Sequence, residues 1–189
     1  GNPVLDIGAS GTWDDQYVTR PTVLFDGVKY QMWYNGFDGS DYRIGYATSS
    51  DGIVWEKNPG NPVLDLGASG TWDDYDIAAP RVIFNGTKYQ MWYSGSDGSN
   101  YRIGYANSGD GIVWEKNPGN PVLDLGASGT WDDYHVVQST VFFDGAKYQM
   151  WYCGYDGPSR AKIGYATSSD GIVWEKYPSN PVLDVGTDG

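Results

Sequence analysis

YQMWYNGFDG, from Tyr30 to Gly39, and RIGYATSSDGIVW, from Arg43 to Trp55, decide the fold, because the chain writes each of them three times. The first returns as YQMWYSGSDG from Tyr89 and as YQMWYCGYDG from Tyr148. The second returns as RIGYANSGDGIVW from Arg102 and as KIGYATSSDGIVW from Lys162. Outward from these runs the repetition continues. NPVLD begins at Asn2, Asn61, Asn120 and Asn180, in steps of 59, 59 and 60 residues, and WDD stands at Trp13, Trp72 and Trp131. Self-similarity at a fixed spacing means stacked or radially arranged modules, each too small to bury its own apolar faces. The modules are residues 1–60, 61–119 and 120–179, and residues 180–189 repeat the start of a fourth.

Inside one module the pattern is that of short strands. Val18 to Phe25, Lys29 to Tyr34, Tyr42 to Thr48 and Ile53 to Lys57 are apolar or β-branched runs separated by Gly and Asp. Asp26-Gly27, Asn85-Gly86 and Asp144-Gly145 suit two-residue hairpin turns with both central residues at positive φ. Tyr30, Met32 and Tyr34 share one face of their strand; Gln31 and Trp33 share the other. A four-stranded meander that is apolar on both faces is a propeller blade, so the fold class is all-β, a β-propeller of four-stranded antiparallel blades with three blades in this chain. Propellers have about 4–8 blades. Three leave two blade faces uncovered, and a second copy joined head to tail would finish a six-bladed ring as a homodimer. In that ring Asn180 to Gly189 would compete with the partner's Asn2 to Gly8.

Composition narrows the partners. The 189 residues are 40% hydrophobic and 16% aromatic, enough for a core, and the net charge is −12. Such a surface repels phosphate backbones and anionic lipid, so neither nucleic acid nor membrane is expected as a partner. One cysteine, Cys153, forms no disulfide framework, and the lone histidine, His135, gives no histidine-based metal site. No cofactor is expected, although the loop from Asp38 to Asp41 has the oxygen ligands that Ca²⁺ takes, without EF-hand spacing. The chain begins at Gly1 rather than Met, which reads as a processed or excised segment; an extracellular or cell-surface setting is the expectation.

The run from Tyr30 to Trp55, with its copies at Tyr89 to Trp114 and Tyr148 to Trp174, resembles the blade of the five-bladed propellers of the furanosidase and glycoside hydrolase group, families 43, 32, 68 and 130. The resemblance implies catalytic acids on innermost strands that face a central cavity from different blades: an Asp base, a second Asp that orients and tunes, and a Glu acid. Cleaving a glycosidic bond needs two carboxyls in different protonation states, and identical surroundings cannot push two pKa values apart. Acids present in one copy alone are therefore the informative ones.

The copies differ most at the entry of the first strand. Tyr17, Asp76 and His135 align there, followed by Arg20, Ala79 and Gln138 three residues later. If that strand is innermost, Tyr17, Arg20, Asp76, Arg81, His135 and Gln138 ring the channel mouth as a carbohydrate-binding set; solvated drift in a pore is the bland alternative. Asp76 is the sole carboxylate in that entry. The second acids of WDD, Asp15, Asp74 and Asp133, are its partners if the chain is a hydrolase, and loop-forming side chains if it is not. Glu56, Glu115 and Glu175 lie in the last strand, at the outer rim. Trp13, Trp72 and Trp131 either stack on sugar or fill the space between blades. The favoured reading is a non-catalytic scaffold that binds carbohydrate at the channel mouth. A furanosidase-like glycoside hydrolase is the alternative, and a structural or engineered fragment without a ligand is the third.

Overall fold

Three separate four-stranded sheets form, one from each repeat, each an antiparallel meander in chain order. The computed structural model describes residues 2–158 and 160–186, so Thr187 to Gly189 lie outside the described residues. Blade 1 contains β1 (Tyr17–Phe25), β2 (Tyr30–Phe37), β3 (Tyr42–Ser49) and β4 (Glu56–Lys57). Blade 2 contains β5 (Asp76–Phe84), β6 (Tyr89–Ser96), β7 (Tyr101–Ser108) and β8 (Glu115–Lys116). Blade 3 contains β9 (His135–Phe143), β10 (Tyr148–Tyr155), β11 (Ala161–Ser168) and β12 (Glu175–Lys176). The first strands of neighbouring blades, β1 with β5 and β5 with β9, touch one another, which makes them the innermost. Among the described residues β1 and β9 do not touch. The molecule is an open arc of a propeller.

Two local expectations give way to side-chain chemistry. The fourth strand is short because Asp51 Oδ1 accepts the N–H groups of Ile53 and Val54, both at 2.8 Å. Those N–H groups are lost to the sheet, and pairing starts only at Glu56. The hairpin turn is centred one residue later than the sequence suggests. Asp26 N–H donates to the Lys29 carbonyl, so Gly27 and Val28 are the central pair, and Gly27 alone of them has positive φ (96°). Asp26 instead accepts the N–H groups of Val28 and Lys29 on its carboxylate.

Each blade is locked at its outer side by one repeated clasp. Asp73 is buried; its Oδ2 accepts from Tyr93 Oη at 3.0 Å and from Lys116 Nζ at 2.7 Å. Asp14 and Asp132 hold Tyr34 with Lys57, and Tyr152 with Lys176, in the same way. This fastens the incoming loop to the outermost strand. The preceding tryptophan lies flat across the blade, where a Cβ at Gly45 would fall 2.6 Å from the Trp13 ring. Glycine is required there by that approach. Trp13, Trp72 and Trp131 are thus packing residues, tilted against or stacked on Tyr34, Tyr93 and Tyr152.

The core lies between blades. Trp33 is fully buried in the seam of blades 1 and 2; its Nε1 donates to the Gly111 carbonyl at 2.8 Å. Trp92 does the same in the seam of blades 2 and 3, reaching the Gly171 carbonyl at 2.9 Å.

Candidate functional site

The innermost strands carry a shared irregularity that shapes the channel. Arg20, Ala79 and Gln138 adopt φ of 49°, 53° and 54°, the left-handed region, and the register of each strand slips at that point. A non-glycine residue there is strained, by about 1–3 kcal/mol. The neighbouring blade supplies the compensation. Ala79 N–H donates to Asn35 Oδ1 at 2.9 Å, and Gln138 N–H donates to Ser94 Oγ at 3.0 Å. The bulge turns an N–H out of its own sheet and into the previous blade.

Tyr17, Asp76 and His135 occupy equivalent places, each the first residue of its innermost strand, opposite Phe37, Ser96 and Tyr155. Their surroundings differ. Tyr17 is half exposed and stacks on Phe37; it does not line the mouth cavity. Asp76 is buried, and both carboxylate oxygens are engaged: Oδ1 accepts Tyr42 N–H at 2.8 Å and Oδ2 accepts Tyr101 O–H at 2.7 Å. Burial pushes the Asp76 carboxyl above its ordinary range, against the two hydrogen bonds that favour the anion. The same burial, with Asp76 beside it, pushes the Tyr101 phenol up. His135 Nδ1 accepts Tyr101 N–H at 3.2 Å, and its ring sits among Tyr134, Tyr101 and Tyr155 at 4.1, 5.4 and 5.9 Å between centroids. Burial lowers the imidazole pKa, so the neutral ring is the favoured form.

A cavity of about 270 Å³ lies at the channel mouth, lined by Arg20, Tyr42, Ser94, Tyr101, His135, Gln138 and Tyr155 among others. Three of the residues named from sequence, Arg20, His135 and Gln138, line it directly, and Asp76 stands behind Tyr42 and Tyr101. Arg81 points instead into a second cavity in the channel, which it shares with Arg20 and Gln138; its guanidinium leans on the Val141 carbonyl at 3.3 and 3.4 Å. Asp15, Asp74 and Asp133 do not come to the mouth. Each folds back within its own loop, with Oδ2 accepting the N–H of Gly11, Gly70 or Gly129 at 2.6 Å. Glu56, Glu115 and Glu175 are exposed on the outermost strands.

Tyr42, Tyr101, Ser94 and Tyr155 are lining residues that the sequence does not single out. A signal is present at two of them: Asn35, Ser94 and Cys153, and two residues later Phe37, Ser96 and Tyr155, are equivalent in register and differ among otherwise identical strands. Among the described residues no group of three or more His, Cys, Asp or Glu side chains could hold a metal ion. The acids of the Asp38–Asp41 loop turn to Arg43, which contacts Asp38, Asp41 and Asp65 at 2.8, 3.2 and 2.9 Å.

The fold recurs in known proteins. Among solved structures, a family 117 glycoside hydrolase of Zobellia galactanivorans superposes with a TM-score of 0.82 at 18% identity, over 97% of this chain and 62% of the other. A family 130 structure, described as belonging to mannoside phosphorylases that include hydrolases of β-1,2 mannosidic linkages in Candida mannan, gives 0.72 at 22% identity, over 97% and 58%. Two uncharacterized proteins, one from each of two Mycobacterium tuberculosis strains, are 30% identical over 198 residues, covering 98% of this chain. The chain spans 63% of the length of those relatives. An A type blood N-acetyl-α-D-galactosamine deacetylase of Flavonifractor plautii is 22% identical, over 91% of this chain and 25% of its own. The glycoside hydrolase 130 model, described as β-1,4-mannooligosaccharide phosphorylase, matches residues 23–122. With more than half of its length matched by that model, this chain belongs to the glycoside hydrolase 130 family.

Proposed function

We propose that the chain is a non-catalytic arc of a glycoside-hydrolase-type propeller, which binds carbohydrate at the channel mouth and completes its ring with a second copy of itself. The observation that carries the first half is the state of Asp76. Cleavage of a glycosidic bond needs two carboxyls flanking it, about 5–9.5 Å apart according to mechanism. Among the described residues no carboxylate lines the mouth cavity itself, and Asp76, which stands behind Tyr42 and Tyr101, has both of its oxygens engaged by them. The mouth itself presents what sugar recognition uses: the aromatic rings of Tyr42, Tyr101 and Tyr155 for stacking on pyranose or furanose faces, with Arg20, Ser94, His135 and Gln138 as hydrogen-bonding groups for hydroxyls. The family match and the glycoside hydrolase structures favour a glycan over other ligands.

The test is a glycan array probed with the purified chain, then repeated with His135→Ala and Gln138→Ala. Retention of a sugar that falls at least tenfold in both variants is expected. An array with no retained glycan would contradict the binding reading and leave a structural part without a ligand.

One observation favours hydrolysis as a second reading. Burial raises the Asp76 carboxyl, as a general acid requires. On that reading the chain releases sugar from an arabinan, fructan or mannan and Asp76→Asn abolishes the release; a substrate panel with no turnover excludes it.

A further inference from the structure

The mouth lies at one end of the innermost strands, and a second opening lies at the other. From Tyr17 and Asp76 at the mouth, β1 and β5 run to Phe25 and Phe84, roughly 25 Å away at the rise of a strand. There, in the seam between blades 1 and 2, Phe25, Asp26, Gln31, Phe84 and Tyr89 line a cavity of about 780 Å³. Sites that take small molecules have about 300–1,000 Å³. Phe25 is 55% exposed and Phe84 is 50% exposed. Blade 2 is flanked on both sides, so the exposure of Phe84 belongs to this end of the seam and not to the edges of the arc. Each ring is braced by the tyrosine across its hairpin, Tyr30 or Tyr89, at 4.7 and 4.8 Å between centroids.

Asp26 decides how the polar groups between these rings are arranged. Its Oδ2 accepts an amide hydrogen of Gln31 at 3.0 Å, and Gln31 Nε2 also donates to Tyr89 Oη at 3.0 Å. Gln31 Oε1 is thereby turned to Tyr46, whose hydroxyl donates to it at 2.9 Å. Blade 2 has Asn85 where blade 1 has Asp26, and there the amide is reversed. Gln90 Nε2 donates to Tyr105 Oη at 2.9 Å, and Gln90 Oε1 accepts the Tyr148 O–H at 3.0 Å. In the second seam the phenol of the following blade is therefore occupied as a donor. In the first seam Tyr89 Oη is an acceptor toward Gln31, and its own hydrogen has no protein acceptor among the described residues. Hydrogen bonds from Lys29 N–H and Val28 N–H hold the Asp26 carboxyl below its ordinary range. Beside the spare donor thus stands an exposed carboxylate with lone pairs left over.

We propose that this end of the first seam binds a neutral pyranose unit of a glycan, its C–H surface against Phe25 and Phe84, one hydroxyl accepting from Tyr89 O–H and another donating to Asp26 Oδ2. A sugar ring offers an apolar C–H face with hydroxyls around its edge, and this cavity presents the matching combination of rings, donor and acceptor. The Asp26 carboxylate repels an anionic sugar, and so does a chain of net charge −12. The second seam, with Asn85 and an occupied Tyr148, lacks both the charge and the spare donor. The site is separate from the mouth and does not depend on what the mouth binds.

Methyl resonances read both openings in one titration. The chain, labelled with ¹³C at its Ala, Ile, Leu and Val methyls, is titrated with the methyl glycosides of mannose, galactose, glucose and N-acetylgalactosamine, and with cyclohexanol as an apolar control. Leu24, Val28 and Ile83 line the seam cavity, and Ala78 and Val137 line the mouth. At least one sugar should shift the methyls of the first set. Tyr89→Phe should raise the dissociation constant read from those shifts by about tenfold, the loss of one ligand hydrogen bond. Asp26→Asn should raise it further, because Gln31 is then free to turn over and take the Tyr89 hydrogen. Both variants keep the packing: Phe retains the ring, and asparagine already forms this turn in blade 2. No sugar-induced shift at the seam methyls, binding unchanged by either substitution, or equal shifts with cyclohexanol overturns the site. Sugar shifts at Ala78 and Val137 alone leave binding at the mouth standing and remove this inference; shifts at the seam methyls alone do the reverse.

Discussion

Blade 2 and blade 3 have nearly the same residues and opposite fates. Trp92 and Trp151 sit in the same run, YQMWY, at the same register against Tyr105 and Tyr165. Trp92 is fully buried and hydrogen-bonded, while Trp151 is more than one-third exposed. Tyr105 is buried and Tyr165 is half-buried. The difference comes from the neighbours in space, since blade 2 is flanked on both sides and blade 3 on one. Burial in a repeat protein is thus a property of position in the array, and identical sequence gives unequal stability along it.

The largest break in this comparison should come from the indoles. Trp92→Ala removes a fully packed side chain from the middle seam and should cost about 3–5 kcal/mol. Trp151→Ala, made at a concentration where the chain is single, should cost less than half of that. Urea unfolding monitored by circular dichroism compares them; equal losses would mean that the two blades are equally covered.

The clasp sharpens the comparison from the other side, because it lies within a blade and should not depend on position. Asp73→Ala leaves Lys116 and the Tyr93 hydroxyl without their acceptor, and should cost about 3 kcal/mol. Asp132→Ala should cost nearly as much, measured by the same unfolding curves. A large gap between the two would show that the clasp depends on the neighbouring blade.

Smaller effects are expected at the inner seam. Ser94→Ala deletes the acceptor of Gln138 N–H and leaves that donor facing the channel, for about 1–2 kcal/mol. Cys153→Ala, its counterpart on the open face, removes a half-buried thiol and, at a concentration where the chain is single, should fall within about 0.5 kcal/mol of wild type. Differential scanning calorimetry resolves the pair, and a Cys153→Ala loss as large as that of Ser94→Ala would show that the third face is covered even in the single chain.

The mildest effect is a pH dependence of the second seam. His135 has a folded pKa below its ordinary value because burial disfavours the cation, and its Nδ1 accepts the Tyr101 N–H only when neutral. The stability it contributes is therefore complete above about pH 6.5, the ordinary histidine value, and is lost as pH falls through the lower folded pKa. His135→Gln should flatten that portion of the profile in thermal unfolding. An unchanged slope between about pH 7 and pH 5 would show that the ring does not titrate in the seam.

The architecture is readable in the sequence because glycines and aspartates punctuate every strand and because three copies average out local ambiguity. The fourth strand is the exception. IVWEK has the composition of a strand, but Asp51 takes the N–H groups that its first residues would have paired. The equivalence of Tyr17, Asp76 and His135 is visible by alignment of the copies. Their partners are not. Asp76 is held by Tyr42 and Tyr101, which lie 34 residues before and 25 residues after it on different blades. No pattern within one repeat shows which blade covers which. For the same reason the variation at Asn35, Ser94 and Cys153 carries no meaning within one repeat, and the structure places Asn35 and Ser94 at the seams.

Whether Trp151 is covered decides the closed ring, and oxidative labelling of tryptophans read by mass spectrometry addresses that residue by residue. Trp33 and Trp92 should stay protected at every protein concentration. Trp151 should be protected in concentrated solution and become reactive on dilution, as the partner leaves. Labelling of Trp151 at one constant rate across the whole range would contradict the closed ring.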